Sequence, residues 1–316
     1  MEFNGGMTFT GAFTITAPPP PTIQKALFGL GGLVNSSAYS ITNLVSNTGV
    51  VANDTAVSGS ARYGVAASGY GSIGQAIFGY GSGTTSITNK ISNTGVMASN
   101  TTGVGTARQE LAAAMYGTDK AIFGYGTTTS LAGGATSVSN LVSNTGTVAT
   151  DTAGVGTIRC QLGAATYGTD KAIFQGGVDT IGGRLNTINL VSNTGVIATD
   201  TVGINSKRRM AASGYGSSGQ AIFGYGAQTL ASSTTNLISN TGVMASNTTG
   251  VGTAREGIAA AMYGSDKAIF GYGLDNQSGV SYSVTNLVSN TGVVATDTAG
   301  VGTVRWLLGA AGYSVA

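Results

Sequence analysis

The chain has 316 residues, of which 41% are hydrophobic, only 8% are charged and 52 are glycine. Its 14 Lys and Arg against 12 Asp and Glu leave a net charge of +2, and only Lys207, Arg208 and Arg209 stand together, which argues against a nucleic-acid-binding surface. Histidine is absent, which removes histidine triads and histidine metal sites, and the single cysteine, Cys160, excludes an internal disulfide.

Residues 1–17, MEFNGGMTFTGAFTITA, alternate apolar residues with Thr at Met7-Thr8-Phe9-Thr10 and Ala12-Phe13-Thr14-Ile15-Thr16. That is the pattern of a strand. So short a strand cannot bury its apolar face alone, so the segment is expected to be an attachment arm docked on the body or on another protein, with a mobile leader as the alternative. Pro18, Pro19, Pro20 and Pro21 follow as a stiff polyproline II spacer of roughly 3 Å per residue. The N-terminus has neither the charged region nor the apolar core of a signal peptide. No apolar run approaches the roughly 20 residues of a membrane span.

Residues 22–316 are six near copies of one unit. A basic residue stands eight positions before a Tyr at Arg62, Arg108, Arg159, Lys207, Arg255 and Arg305. The tetrad Ser-Asn-Thr-Gly recurs with its Asn at 47, 93, 144, 193, 240 and 290, at spacings of 46, 51, 49, 47 and 50 residues. A period of this length marks a ring or array of supersecondary units. Each unit reads as four strands. The first is small and apolar (Leu111 to Tyr116), and a Gly-Thr-Asp turn leads to the second (Lys120 to Gly126). The third, as at Val284 to Ser289, closes on an Asn-Thr-Gly turn suited to positive φ. The fourth is Val293 to Thr296, and a Gly-rich crossover, Thr298 to Thr303, leads onward. Length varies mainly between the second and third strands, at 32–40, 82–86, 127–137, 178–187, 227–234 and 274–283. All these loops therefore belong to one face, the usual place for binding.

The expected architecture is an all-β, six-bladed β-propeller of four-stranded antiparallel blades. The first unit begins at Lys25-Ala26-Leu27-Phe28, which is second-strand sequence, and the last ends at Trp306 to Tyr313, which is first-strand sequence. The C-terminal strand is therefore expected to complete the N-terminal blade and leave no open interface.

The order of basic residue, small apolar strand, turn, Ile-Phe-Gly-Tyr-Gly and two further strands resembles the kelch repeat over residues 23–316. Two features depart from it. Adjacent glycines occur only at Gly31-Gly32 and Gly176-Gly177 in this register, and the fourth-strand Trp is missing, the sole Trp306 standing in a first strand. The histidine ligands of copper-dependent kelch-like oxidases are absent as well. The strings TNLVSNTGVVATDTAGVGTVR, DKAIFGYG and GGMTFTGAFTITAPPPP also resemble uncharacterised repeat proteins of marine bacteriophages, including those infecting cyanobacteria. That resemblance implies a virion-associated protein, assembled in the host cytoplasm, on a tail, neck, fibre or capsid surface.

Candidate chemistry is sparse. Asp119, Asp170 and Asp266 share one repeated position, and Asp54, Asp151, Asp200 and Asp297 another. Repetition around a ring spreads them apart, whereas a glycosidase needs two carboxyls within about 5–10 Å. The GVGTAR segments lack the Lys-Ser/Thr ending of a phosphate loop and read as crossovers. The six basic residues are expected to be structural, bonding neighbouring-blade carbonyls or an Asp; a positive ring for an anionic partner is the alternative. The repeated Asn43, Asn89, Asn140, Asn189, Asn236 and Asn286 likewise read as architectural rather than sugar-binding. Tyr80, Tyr125, Tyr225 and Tyr272, beside the variable loops, either stack on a ligand or fill the gap between blades. No cofactor and no enzymatic activity are expected. The function implied is a structural or decoration protein of a virion, docked to other virion proteins through residues 1–21. A lectin-like, receptor-binding module using the variable loops is the alternative.

Overall fold

The computed structural model describes residues 23–34, 37–130 and 132–315. The arm and spacer expected over 1–21 lie outside them. Among the described residues there are 20 strands, no α-helix and one 3-10 turn at Ala132–Gly134.

The strands fall into six antiparallel sheets. In chain order they are β1 (Ile23–Gly29), β2 (Ile41–Val45) and β3 (Thr55–Ala56); β4 (Ala66–Tyr70), β5 (Gln75–Gly79) and β6 (Thr88–Ile91); β7 (Ala112–Tyr116), β8 (Lys120–Gly124) and β9 (Ser139–Val142). There follow β10 (Gly163–Tyr167), β11 (Lys171–Gln175), β12 (Thr187–Val191) and β13 (Thr201–Val202); β14 (Ala211–Tyr215), β15 (Gln220–Gly224) and β16 (Thr235–Ile238); β17 (Ala259–Tyr263), β18 (Lys267–Asp275) and β19 (Val280–Val288); and finally β20 (Gly309–Val315).

The Ala-Ile-Phe strand is central in every sheet except the first, where Ala-Leu-Phe takes its place. β8, for example, pairs with β7 on one side and β9 on the other. Its continuous apolar run follows from burial on both faces. Ile122 and Tyr125 pack against Phe174 of the next sheet, while Ala121 and Phe123 pack against Ile77 and Tyr80 of the previous one. Six such clusters hold the sheets together, one at each junction. The cluster joining the last sheet to the first sets Tyr263, Ile269 and Tyr272 against Ala26, Phe28 and Val45.

Neighbouring sheets approach closely because a glycine ends most central strands. A Cβ on Gly79 would lie 2.8 Å from the Phe123 ring of the next sheet, and real Cβ atoms do not come that near. The first strands β4, β7, β10, β14, β17 and β20 each touch the next, and β20 also touches β4. They are rich in Ala and Gly because six of them crowd one axis.

The C-terminal strand pairs with the N-terminal one: β20 lies antiparallel to β1, with Ile23 opposite Val315 and Gly29 opposite Gly309. The first sheet thus has the order β20-β1-β2-β3. Backbone bonds link the sheets at both ends of the strands. At one end, amides bond carbonyls in the series Leu307→Gly257→Arg209→Gln161→Glu110→Gly64→Leu307, at 2.7–2.9 Å, returning to the start. At the other, Gly71→Asp119, Gly117→Asp170, Gly168→Gly219, Gly216→Asp266, Gly264→Gln24 and Ser314→Gly74 visit all six sheets. The arrangement is consistent with a propeller-like fold.

One expectation is corrected. Only two sheets have a fourth strand, β3 and β13, each two residues long. The segment expected to be that strand makes an isolated bridge in all six sheets, as Val45 to Val51 and Val288 to Val294 do, and β3 and β13 lie beyond it, where the crossover was expected. In all six sheets the buried Asn of the third strand takes a carbonyl of this segment: Asn286 Nδ2 donates to Ala295 O (3.0 Å) and Asp297 Oδ1 (2.8 Å), and Asn43 and Asn189 do the same in the two sheets that carry β3 and β13. A side chain thus holds the outer segment where a backbone ladder was expected.

Candidate functional site

The sheets have two ends. Ile23 enters at one, beside Val315 and the Gly-Ser-Asp turn. The variable loops leave at the other, after Leu30, Tyr80, Tyr125, Gly176, Tyr225 and Tyr272. We call these the entry end and the loop end.

The six basic residues sit at the loop end and are buried. Arg108 shows the pattern. Its Nε donates to Tyr125 O (2.7 Å), one terminal nitrogen to Thr106 O (3.0 Å) and the other to Asn140 Oδ1 (2.7 Å). Asp151 stands 3.9 Å away and accepts from Thr106 and Asn140. Arg255 and Arg305 repeat this with Tyr272 O, Asn286 and Asp297, and with Leu30 O, Asn43 and Asp54. The guanidinium therefore stitches together strands of its own sheet beside an Asp, where neighbouring-blade carbonyls or an Asp were expected. Its contact with the neighbouring sheet is a ring: Arg108 lies 4.4 Å over Tyr80, Arg159 3.9 Å over Tyr125, Arg255 4.7 Å over Tyr225 and Arg305 4.2 Å over Tyr272. Burial lowers these arginine pKa values, and the facing Tyr and Asp oppose it.

The four tyrosines are fully buried. Each has φ between 61° and 64°, a left-handed conformation that disfavours a bulky side chain. Packing holds it there. One side of each ring meets an Arg, and a Phe of the next sheet meets it at centroid distances of 5.1–5.2 Å. Each hydroxyl donates to a crossover carbonyl, as Tyr80 does to Val104 O (3.2 Å). Burial pushes Tyr225 and Tyr272 up to about 12. The rings thus fill the gap between sheets and leave no face for a ligand.

Two units break the pattern together. In one, Asn100 stands where other units have Asp, and among the described residues Arg62 has no counter-ion; burial lowers it to about 10. In the other, Asn247 replaces Asp and Lys207 replaces Arg, and Gly176 of the preceding sheet stands where the facing Tyr would be. Lys207 reaches only Thr234, so Asn205 Nδ2 fills in, bonding Asn236 Oδ1 and Asn247 Oδ1. Met210 occupies the missing ring's place, since a Cβ on Gly176 would meet its Cε at 2.4 Å. Burial lowers Lys207 to about 8.

The other Asp column works at the entry end. Asp119, Asp170 and Asp266 pair with the adjacent Lys at 3.0–3.2 Å. Nearby, a largely apolar cavity of about 490 Å³ opens among Ile23, Met115, Thr166, Gly214, Tyr215 and Met262.

On the axis at the loop end the units stop resembling one another. The two residues after each basic position are Tyr63-Gly64, Gln109-Glu110, Cys160-Gln161, Arg208-Arg209, Glu256-Gly257 and Trp306-Leu307. Arg209 reaches across the axis, bonding Glu110 Oε1 (2.8 Å) and Glu256 Oε1 (3.3 Å) and lying 4.8 Å over Trp306. Arg208 Nε takes the other Glu256 oxygen at 3.1 Å, and Gln161 Nε2 the other Glu110 oxygen at 2.8 Å. Burial would lower the Arg209 pKa, but the two carboxylates more than offset it and raise it. Two carboxyl groups are thus gathered on one guanidinium, although the repeated Asp columns stay apart as expected. Beneath Arg209 a narrow well of about 110 Å³ runs down the axis between Gln161 and small apolar walls. Sequence reasoning did not single out this cluster. Its signal was the failure of these two positions to repeat.

Cys160 is buried, and burial pushes its thiol up to about 12, so it behaves as a small core residue. Among the described residues no group of three metal-ligating side chains occurs, and no helix is long and apolar enough to cross a membrane. No family model matches the chain, and no curated protein sequence matches it significantly.

Proposed function

We propose that the chain is a closed six-bladed β-propeller serving as a non-enzymatic structural or decoration protein of a bacteriophage particle. In this reading residues 1–21 dock it to other virion proteins. The observation that carries the reading is the opposition of the two ends: the chain enters at Ile23, and all six variable loops leave the far end of the sheets. A body tethered at the entry end presents the loop end outward. Ring closure is supported by the β20–β1 pairing and by Arg305, which supplies the first sheet with the guanidinium that other sheets take from their own unit. The virion assignment draws on the resemblance to marine phage repeat proteins. The repeated charged groups support a structural role, because each is engaged in holding strands or turns.

The test is to delete residues 1–21 and score incorporation into particles. Loss of incorporation with an unchanged fold is expected; unimpaired incorporation contradicts the docking role. A second reading, receptor or glycan binding at the loop end, is favoured by the non-repeating residues at the axis there.

A further inference from the structure

At the axial well of the loop end a repeated architecture carries unrepeated chemistry. We propose that this well binds one neutral, hydroxyl-bearing group per chain, the terminus of a glycan. The inference deepens the second reading above and rests on the loop end being the binding face.

Three observations lead there. First, architecture alone asks the same residue of each unit, as the Arg, Asn and Tyr columns obey almost throughout. The six different pairs around the axis are not explained by holding sheets together. Second, one buried acceptor beside the well is unpaired. Gln161 lines the well, and its Nε2 is committed to Glu110. Its Oε1 is buried and has no partner among the described residues. The amide orientation of Gln161 is forced, because Glu110 only accepts. An unpaired buried acceptor is costly and calls for an incoming O–H or N–H. Third, the local charge is already balanced: Arg208 and Arg209 cancel Glu110 and Glu256, and all four carboxylate oxygens accept a bond. A cation finds no free carboxylate, and an anion meets two glutamates. A neutral hydroxyl fits both the acceptor and the balance. The well admits a projecting substituent rather than a whole ring, leaving the rest of the ligand to the surrounding loops.

Trp306 is the only tryptophan in the chain and lies against Arg209, so its fluorescence reports on the well. The full chain is titrated with a panel of neutral oligosaccharides. At least one is expected to shift the emission saturably at one equivalent per chain. Gln161→Leu should weaken that binding tenfold or more and Gln161→Asn less, whereas Gln220→Leu, removing an unpartnered amide oxygen at the entry end, should leave it unchanged. No response to any saccharide, or equal binding by Gln161→Leu with unchanged melting temperature, overturns the proposal. Several equivalents per chain would overturn it too, while leaving the loop end as a glycan-binding face.

Discussion

Replacing Arg108 by Met tests what the buried basic column does. The substitution keeps much of the apolar stem but removes three hydrogen bonds, to Tyr125 O, Thr106 O and Asn140 Oδ1, and the stack over Tyr80. Bonds from a charged donor contribute about 1.5–3 kcal/mol each, and orphaned acceptors add to the loss. Methionine restores some packing, and the desolvation of the charge is relieved, so the net effect should be about 3–5 kcal/mol, the range for breaking a buried ionic network. Arg159 provides an internal control. It bonds Thr157 O and Asn189 Oδ1, but among the described residues its buried Nε has no partner. Arg159→Met should therefore cost about 1–2 kcal/mol less than Arg108→Met. Guanidinium unfolding followed by circular dichroism gives both values from midpoints at matched slopes. A loss under about 0.5 kcal/mol for Arg108→Met, the level of ordinary surface changes, would refute the stitching role. So would a larger loss for Arg159→Met.

Other predictions follow from the units that break the pattern. Lys207 titrates near 8 when folded and 10.5 when free, so across that window the unfolded chain holds the proton the folded chain has lost. Stability should rise with pH there, by up to roughly 3 kcal/mol, and be flat in this contribution below pH 8. The difference between wild type and Lys207→Met in unfolding at pH 7.5 to 10.5 isolates it, and parallel curves would contradict it. Asn100→Asp gives buried Arg62 the counter-ion other units have and should raise the melting temperature, a gain of about 0.5–1 kcal/mol since the site is partly exposed; destabilisation would count against the pairing logic. Gly176→Tyr should destabilise on its own, because Met210 and Lys207 O occupy the space, and lose less in the Met210→Ala background. Additivity in that double-mutant cycle would show that the two sites do not share the gap.

Much of this molecule was legible in its sequence because repetition multiplies a weak signal six times. The second strand at Lys120–Gly124, the turn at Gly117 and the offset between Lys25 and Tyr313 all stand where the periodicity put them. The outer strand was misread because Val293 to Thr296 looks like strand residues, and nothing local shows that Asn286 will take the Ala295 carbonyl. The tyrosines could not be placed either, since Tyr125 borders a loop in sequence yet turns inward through a left-handed backbone between Arg159 and Phe174. The axial cluster escaped for a different reason. Glu110, Arg209 and Trp306 are far apart in the chain and unlike one another, and only the packing of successive first strands brings them together.

The proposed ring closes only if the C-terminal strand completes the chain's own first sheet. A crystal structure of the full chain tests this most directly. It should show Gly309–Val315 antiparallel to Ile23–Gly29 of the same molecule, with Arg305 bonded to Leu30 O and Asn43. Electron density placing that strand in a neighbouring molecule's sheet, or leaving β1 unpaired on that side, would contradict it.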